Sequence, residues 1–185
     1  GEITESGSSE ILAIDKIIDI VLENIDSTAE NIKENIKSSA VLDAQIDNWW
    51  LSSAAEYGFS SQAQKDAKHK LPTLSKVILT DWFFKIIFGN IIKRYFNEAK
   101  IIETITYDTT VSEALQIIAN ISEHCNFWNI FGNNIANELV SDNAWKQLVQ
   151  LNVFLSNLNI GGVDIQILQN LLQSSIAYAL SLIHI

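Results

Sequence analysis

One cysteine, one proline and no methionine occur in 185 residues. A single cysteine excludes a disulfide framework and a multi-cysteine zinc module. Seven glycines and one proline exclude a collagen-like or low-complexity chain. They also leave too few turn residues for a fold made of many hairpins. No stretch sustains the period-2 alternation of a half-buried strand. Because Met is missing even at position 1, we expect a processed chain or a fragment of a longer one. Charged residues make up only 18% and apolar residues 48%. That is too apolar for disorder, and the length supports a sizeable core.

Basic residues are scarce as well: 12 against 22 acids, a net charge of −10. A generic nucleic-acid binder usually shows the opposite balance. The distribution is uneven, however. Residues 1–50 carry a net −8, residues 65–100 a net +5, and residues 101–185 a net −6. The basic segment holds Lys65, Lys68, Lys70, Lys76, Lys85, Lys93, Arg94 and Lys100. Only one of these is Arg, the side chain best suited to bidentate phosphate contacts. The first ten residues are polar and lack the basic start of a secretory signal. The longest charge-free stretch, Ile165 to Ile185, is broken by Gln166, Gln169, Asn170 and Gln173. Such residues are costly in hydrocarbon, so no membrane span is expected. We expect a cytoplasmic protein.

Helical periodicity is strong. Ile11, Ile14, Ile18, Val21, Leu22 and Ile25 share one face and predict a helix over 9–26. Ser27 or Thr28 is placed to cap a further helix over 29–38, and a third is predicted over 40–56. Residues 58–73 are polar and carry Gly58 and Pro72, which makes 59–72 the expected linker. The most apolar helix is predicted over 73–99, with Leu74, Val77, Phe84, Phe88, Ile91 and Tyr95 on one face. A helix apolar nearly all round is usually central. Gly89 marks a close crossing or a kink. Thr110-x-x-Glu113 is a capping box opening a helix over 111–124. Ser141 or Asp142 opens another over 142–158, with Leu148, Leu151, Leu155 and Leu158 in a stripe. Gly161-Gly162 reads as a turn, and Asp164 caps a last helix over 165–178. The expected fold is all-α: about seven helices around the central helix 73–99. The expected organisation is an acidic helical part over 1–58, the linker, a helical domain over 73–179, and a tail over 180–185.

Few residues promise chemistry. Glu123-His124-Cys125 is the one cluster of metal-type ligands, but helical neighbours point about 100° apart and do not converge on an ion. His124 suits a helix C-terminus. Cys125 reads as a small buried side chain rather than a nucleophile, because no base faces it. Asp81, inside an apolar run, reads as an ion pair with Lys85 on the helix surface. Lys93-Arg94-Tyr95-Phe96 mixes base with aromatic, so it reads either as a nucleic-acid contact or as a solvated helix end. No nucleotide loop and no zinc-protease motif is present. No catalytic residue, cofactor ligand or metal ligand is assigned.

Three stretches, LSKVILTDWFFKIIFGNIIKRYFNEAKIIE (74–103), DTTVSEALQIIANISEHCNFWNIF (108–131) and WKQLVQLNVFLSNLNIGGVDIQILQNLLQSSI (145–176), share a pattern of aromatics and turns. The pattern resembles the helical region upstream of the catalytic domain in N6-adenine DNA methyltransferases of restriction–modification systems. In that family a [KR]-E-x-x-G-Q-[FY]-x-T-P stretch follows and helps hold S-adenosylmethionine. A [ND]-P-P-[YF] motif further on grips the flipped adenine. Neither motif occurs in this sequence. The last six residues, Leu180 to Ile185, resemble instead a translated sequencing adapter, and we expect them to be a non-native tail.

The resemblance implies a non-catalytic helical piece that braces the methyltransferase domain of the same parent chain. S-adenosylmethionine would be bound by that domain and not by this segment. It also implies contact with duplex DNA, for which Lys65, Lys68, Lys70, Lys93 and Arg94 are the candidates. The abundance of Ile and Asn suggests an AT-rich, bacterial coding sequence. A stand-alone helical protein-interaction module is the alternative, with exposed Trp49 and Trp50 as its anchors.

Overall fold

A computed structural model describes residues 2–125, 136–157, 166 and 170, with side chains from residue 19 onward. The regular elements of the described residues are all helical, and none of these residues forms a strand. The expected Gly161-Gly162 turn, the Asp164 cap, the body of the helix over 165–178 and the tail lie outside them.

Helix α1 (Glu2–Lys37) is one unbroken rod of 36 residues. The expected break at Ser27-Thr28 does not occur. No Gly or Pro lies between Gly7 and Gly58 to stop a helix. Both hydroxyls are engaged elsewhere: Ser27 Oγ lies 2.9 Å from Ser141 Oγ, and Thr28 Oγ1 accepts from the Ser141 amide at 3.3 Å. Neither is left to cap. Ile20, Val21, Asn24, Thr28 and Ile32 are buried, at the three-to-four spacing of a single helix face.

Helix α2 (Ala40–Ser53) starts where Ser39 accepts from the Leu42 amide at 3.2 Å. It tightens into a 3-10 turn over Ala54–Tyr57, which Gly58 ends at φ 84°. This is the left-handed geometry that glycine tolerates best. The expected linker holds a short helix, α3 (Ser61–Lys65), and a 3-10 turn over Ala67–His69, capped by Ser60 and Asp66.

Helix α4 (Lys70–Ile92) is the central one, with 15 buried residues. Pro72 lies within its first turn, where no amide is needed for the helix ladder. The helix ends seven residues before the expected limit at 99. The chain turns at Lys93 and runs back as a 3-10 segment, Asn97–Thr104. Gly89 is the reason this return fits: a Cβ there would collide with Cδ1 of Ile102. The inward face also differs from expectation. Val77, Phe84 and Phe88 are only half-buried and Tyr95 is exposed, whereas Ile78, Trp82, Phe83 and Ile86 fill the core.

Helix α5 (Val111–Cys125) opens at the expected capping box, with the Glu113 amide donating to Thr110 Oγ1 at 3.1 Å. The Glu113 carboxylate accepts from the same hydroxyl. Helix α6 (Asp142–Ser156) is capped by Ser141, which accepts from the Ala144 amide. Helix α1 packs on α4 and α6, α6 on α4, and the 97–104 segment against α4 and α5. The apolar cluster therefore contains Val21 and Ile32 from before the 59–72 segment and Leu74, Ile118 and Leu151 from after it.

Candidate functional site

The basic segment is the one feature that sequence reasoning tied to a ligand, and the fold distributes it. Lys65 and Lys68 are exposed on the short elements ahead of α4. Lys68 faces Asp66 at 3.4 Å across an exposed pair, and Lys65, Asp66, Ser61 and Gln62 line a shallow depression. Lys70 turns to Asp47 of α2 at 2.6 Å. Arg94, Tyr95 and Phe96 follow α4 and are exposed, as are Lys100 and Tyr107. The expected contacts Lys65, Lys68 and Arg94 thus lie on the surface, at opposite ends of α4.

Lys93 does not lie with them. It is 3% exposed. Its amine donates to Asn90 Oδ1 at 2.9 Å and pairs with Glu103 at 3.0 Å. Asn90 in turn donates to Asn152 Oδ1, and Asn152 donates to the carbonyls of Ile102 and Ile105. These contacts tie α4, the 97–104 segment and α6 together. The early end of α4 places Lys93 inside this network, because the returning segment brings Glu103 over it.

Asp81 and Lys85 form the expected i,i+4 ion pair at 2.7 Å. It is not a surface pair throughout: Lys85 is 0% exposed, while the Asp81 side chain keeps 27% of its surface. The Asp81 carboxylate also accepts from Asn137 Nδ2 at 2.8 Å, and Trp82 Nε1 donates to the Asn137 carbonyl at 2.9 Å. The group clasps the turn before α6 to α4. With this many hydrogen bonds the buried ammonium is compensated for its desolvation. Nothing in the sequence pattern distinguishes it from an exposed i,i+4 pair, since burial depends on what packs over the helix.

The remaining candidates occupy structural places. Cys125 is buried, and burial, with the carboxylate of Glu98 nearby, pushes its thiol pKa up. It stays protonated, which disfavours nucleophilic use. His124 is exposed in the last turn of α5, with Nδ1 at 2.8 Å from the Asn120 carbonyl. Among the described residues no group of three His, Cys, Asp or Glu side chains is placed to hold a metal ion. No described helix is long and apolar enough to cross a membrane.

Trp49 and Trp50 are not the exposed pair the interaction module needs. Trp50 is buried, and its indole N–H donates to the Gln64 carbonyl at 2.8 Å. Trp49 is half-buried between Trp50 and Tyr57, with ring centroids 6.1 and 5.8 Å away. Phe59 extends the row from Trp50 to His69. Together these rings staple the 54–69 segment to α2.

Compared with protein-family models, curated proteins and solved structures, the chain shows no match.

Proposed function

We propose that this chain is the non-catalytic helical part of a bacterial adenine-N6 DNA methyltransferase of a restriction–modification system. It braces the catalytic domain of the same parent in the cytoplasm and contacts the DNA on which that domain acts. S-adenosylmethionine belongs to the catalytic domain, where it supplies the methyl group.

One observation carries the reading. Two aromatics of the resembling stretches meet: Trp82, of 74–103, lies edge-on to the half-buried Trp145, of 145–176, at 5.0 Å. Trp145 Nε1 donates to the carbonyl of Thr109, in 108–131. The described parts of the three stretches thus pack together around α4, as parts of one module would. The interior charges Lys85 and Lys93 serve that packing, which suits a brace.

The test is recovery of the coding frame beyond Ile176 from overlapping genomic sequence. The expected result is a G-Q-[FY]-x-T-P stretch soon after the last helix and [ND]-P-P-[YF] further on. A stop codon directly after Ala179 would remove the methyltransferase reading.

A further inference from the structure

Helix α4 ends without a covalent cause. No Gly or Pro lies between Gly89 and Gly132, and the run from Lys93 to Lys100 contains Lys, Arg, Glu and Ala, all good helix formers. Helical hydrogen bonding continues past Ile92. The Lys93 amide donates to the Gly89 carbonyl at 3.1 Å, and the Tyr95 and Phe96 amides both donate to the Ile92 carbonyl at 2.9 Å. Phe96 then takes an extended backbone, φ −125° and ψ 111°, and the 3-10 segment starts at the next residue. The turn, residues 94–98, is exposed. What holds the chain folded back is contact with the body. Ile102 sits against Gly89, Glu103 pairs with Lys93, and Asn152 meets Asn90. Further contacts join the two sides of Phe96: Trp82 with Trp145, Asp81 with Asn137, and Thr28 with Ser141.

We propose that Phe96 is a hinge through which two copies of this chain exchange the elements that follow it. When Phe96 turns helical, α4 runs straight on. The 97–104 segment, α5 and α6 of one copy then pack on α1 and α4 of the other. The contacts between the two sides of Phe96 re-form between copies: Lys93 of one meets Glu103 of the other, and Trp82 meets Trp145. The partner is a second copy because only the same sequence supplies both sides of these contacts. Such an exchange is a low-cost route to a dimer, since it uses surfaces the monomer already buries. It adds helical hydrogen bonds at the hinge and costs the free motion of one copy, so concentration decides between the two forms. The two forms interconvert only when the shared core opens, so the exchange is set during folding. The inference uses contacts within this chain alone and is independent of the preceding reading.

The experiment refolds the full chain from urea over a range of concentrations and reads its mass by size-exclusion chromatography with light scattering. The buffer carries salt, because the net charge of −10 repels like copies. The expected result is a species of twice the monomer mass. While it is the minor form, its ratio to monomer rises about tenfold for each tenfold rise in refolding concentration. Phe96→Ala favours the helical hinge and raises the dimer fraction. Asn97→Pro abolishes the dimer, since the residue before a proline is held extended and proline itself fits the first turn of a helix. Far-ultraviolet circular dichroism checks that both variants keep their helices. Mixing separates exchange from side-by-side association. Lys93→Glu and Glu103→Lys each set like charges face to face within one copy. Refolded together, the two variants give a mixed dimer in which both crossed pairs are of opposite charge, at several-fold higher yield than either alone. Monomer at every concentration, for Phe96→Ala as well, overturns the proposal. So does a dimer that survives Asn97→Pro undiminished, or one that gains nothing from mixing the folded charge variants. Should those variants fail to fold even together, the opposite responses of Phe96→Ala and Asn97→Pro decide.

Discussion

Gly89 shows how much one side chain decides. Alanine favours a helix over glycine by about 1 kcal/mol, so Gly89→Ala would stabilise an open α4. Here the added methyl enters the space of Ile102 Cδ1. Overpacking of this kind costs about 1–3 kcal/mol, so the expected net result is a loss of stability. Ile102→Val removes that Cδ1, and the double variant should recover most of the loss. Urea unfolding of the two singles and the double forms a double-mutant cycle; strictly additive effects would show that the two side chains do not meet.

The Asp81–Lys85 pair makes a second test at this scale. Asp81→Asn removes the partly exposed carboxylate that balances a fully buried ammonium; breaking a fully buried pair costs more, and about 2–3 kcal/mol is expected here. Replacing both, Asp81→Asn with Lys85→Met, should restore much of it, since apolar replacement of a buried pair is often close to neutral. Chemical denaturation reads both. A loss below about 0.5 kcal/mol for Asp81→Asn, typical of a surface pair, would contradict the burial.

Elements were legible where the deciding contacts are local. The Thr110 and Ser141 caps and the centrality of α4 follow from neighbours in sequence, whereas Gly89, read as a crossing or a kink, is decided by Ile102 of the returning segment. What was not legible depends on partners far along the chain. Ser27 and Thr28 have the chemistry of caps, yet they are held by Ser141, more than a hundred residues away. The same contact defines a polar seam between α1 and α6. Asn24 donates to Gln147 at 2.6 Å, Asn143 donates to Asn24 at 3.0 Å, and Asn31 donates to the Leu139 carbonyl at 2.9 Å. Hydrophobic periodicity is blind to such a seam. The basic surface was half legible: its composition could be counted, but which lysines face outward depends on where α4 ends. Ser141 joins both kinds of contact, as the cap of α6 and the partner of Ser27 and Thr28. Ser141→Ala therefore costs the cap, about 1 kcal/mol, and removes the hydroxyl that Ser27 and Thr28 meet at 2.9 and 3.4 Å, about 1 kcal/mol more, while the Ser141 amide still donates to Thr28. Thr110→Ala, an exposed cap, should cost only the first amount. Comparable losses in urea unfolding for the two variants would mean that the seam contributes nothing.

At the scale of the whole molecule, the polar segment 59–72 does not separate two cores. Leu74, Ile78 and Leu79 of α4 share one buried cluster with Val21 and Ile32 of α1, and α1 also holds α6 through the polar seam. Neither side can unfold without exposing the apolar face of the other. Cooperative units follow shared burial rather than composition, so one transition is expected for the chain. The aromatic rows give two local reporters. Trp49 and Trp50 lie before or at the edge of the segment, and Trp82 and Trp145 lie in the core beyond it. In variants keeping one pair, with the other pair and Trp128 replaced by Phe, each fluorescence curve in urea should coincide with that variant's own loss of helical circular dichroism. Two midpoints, with the Trp49–Trp50 signal lost first, would mean that the N-terminal helices form a unit of their own and that α1 docks on α4 only weakly.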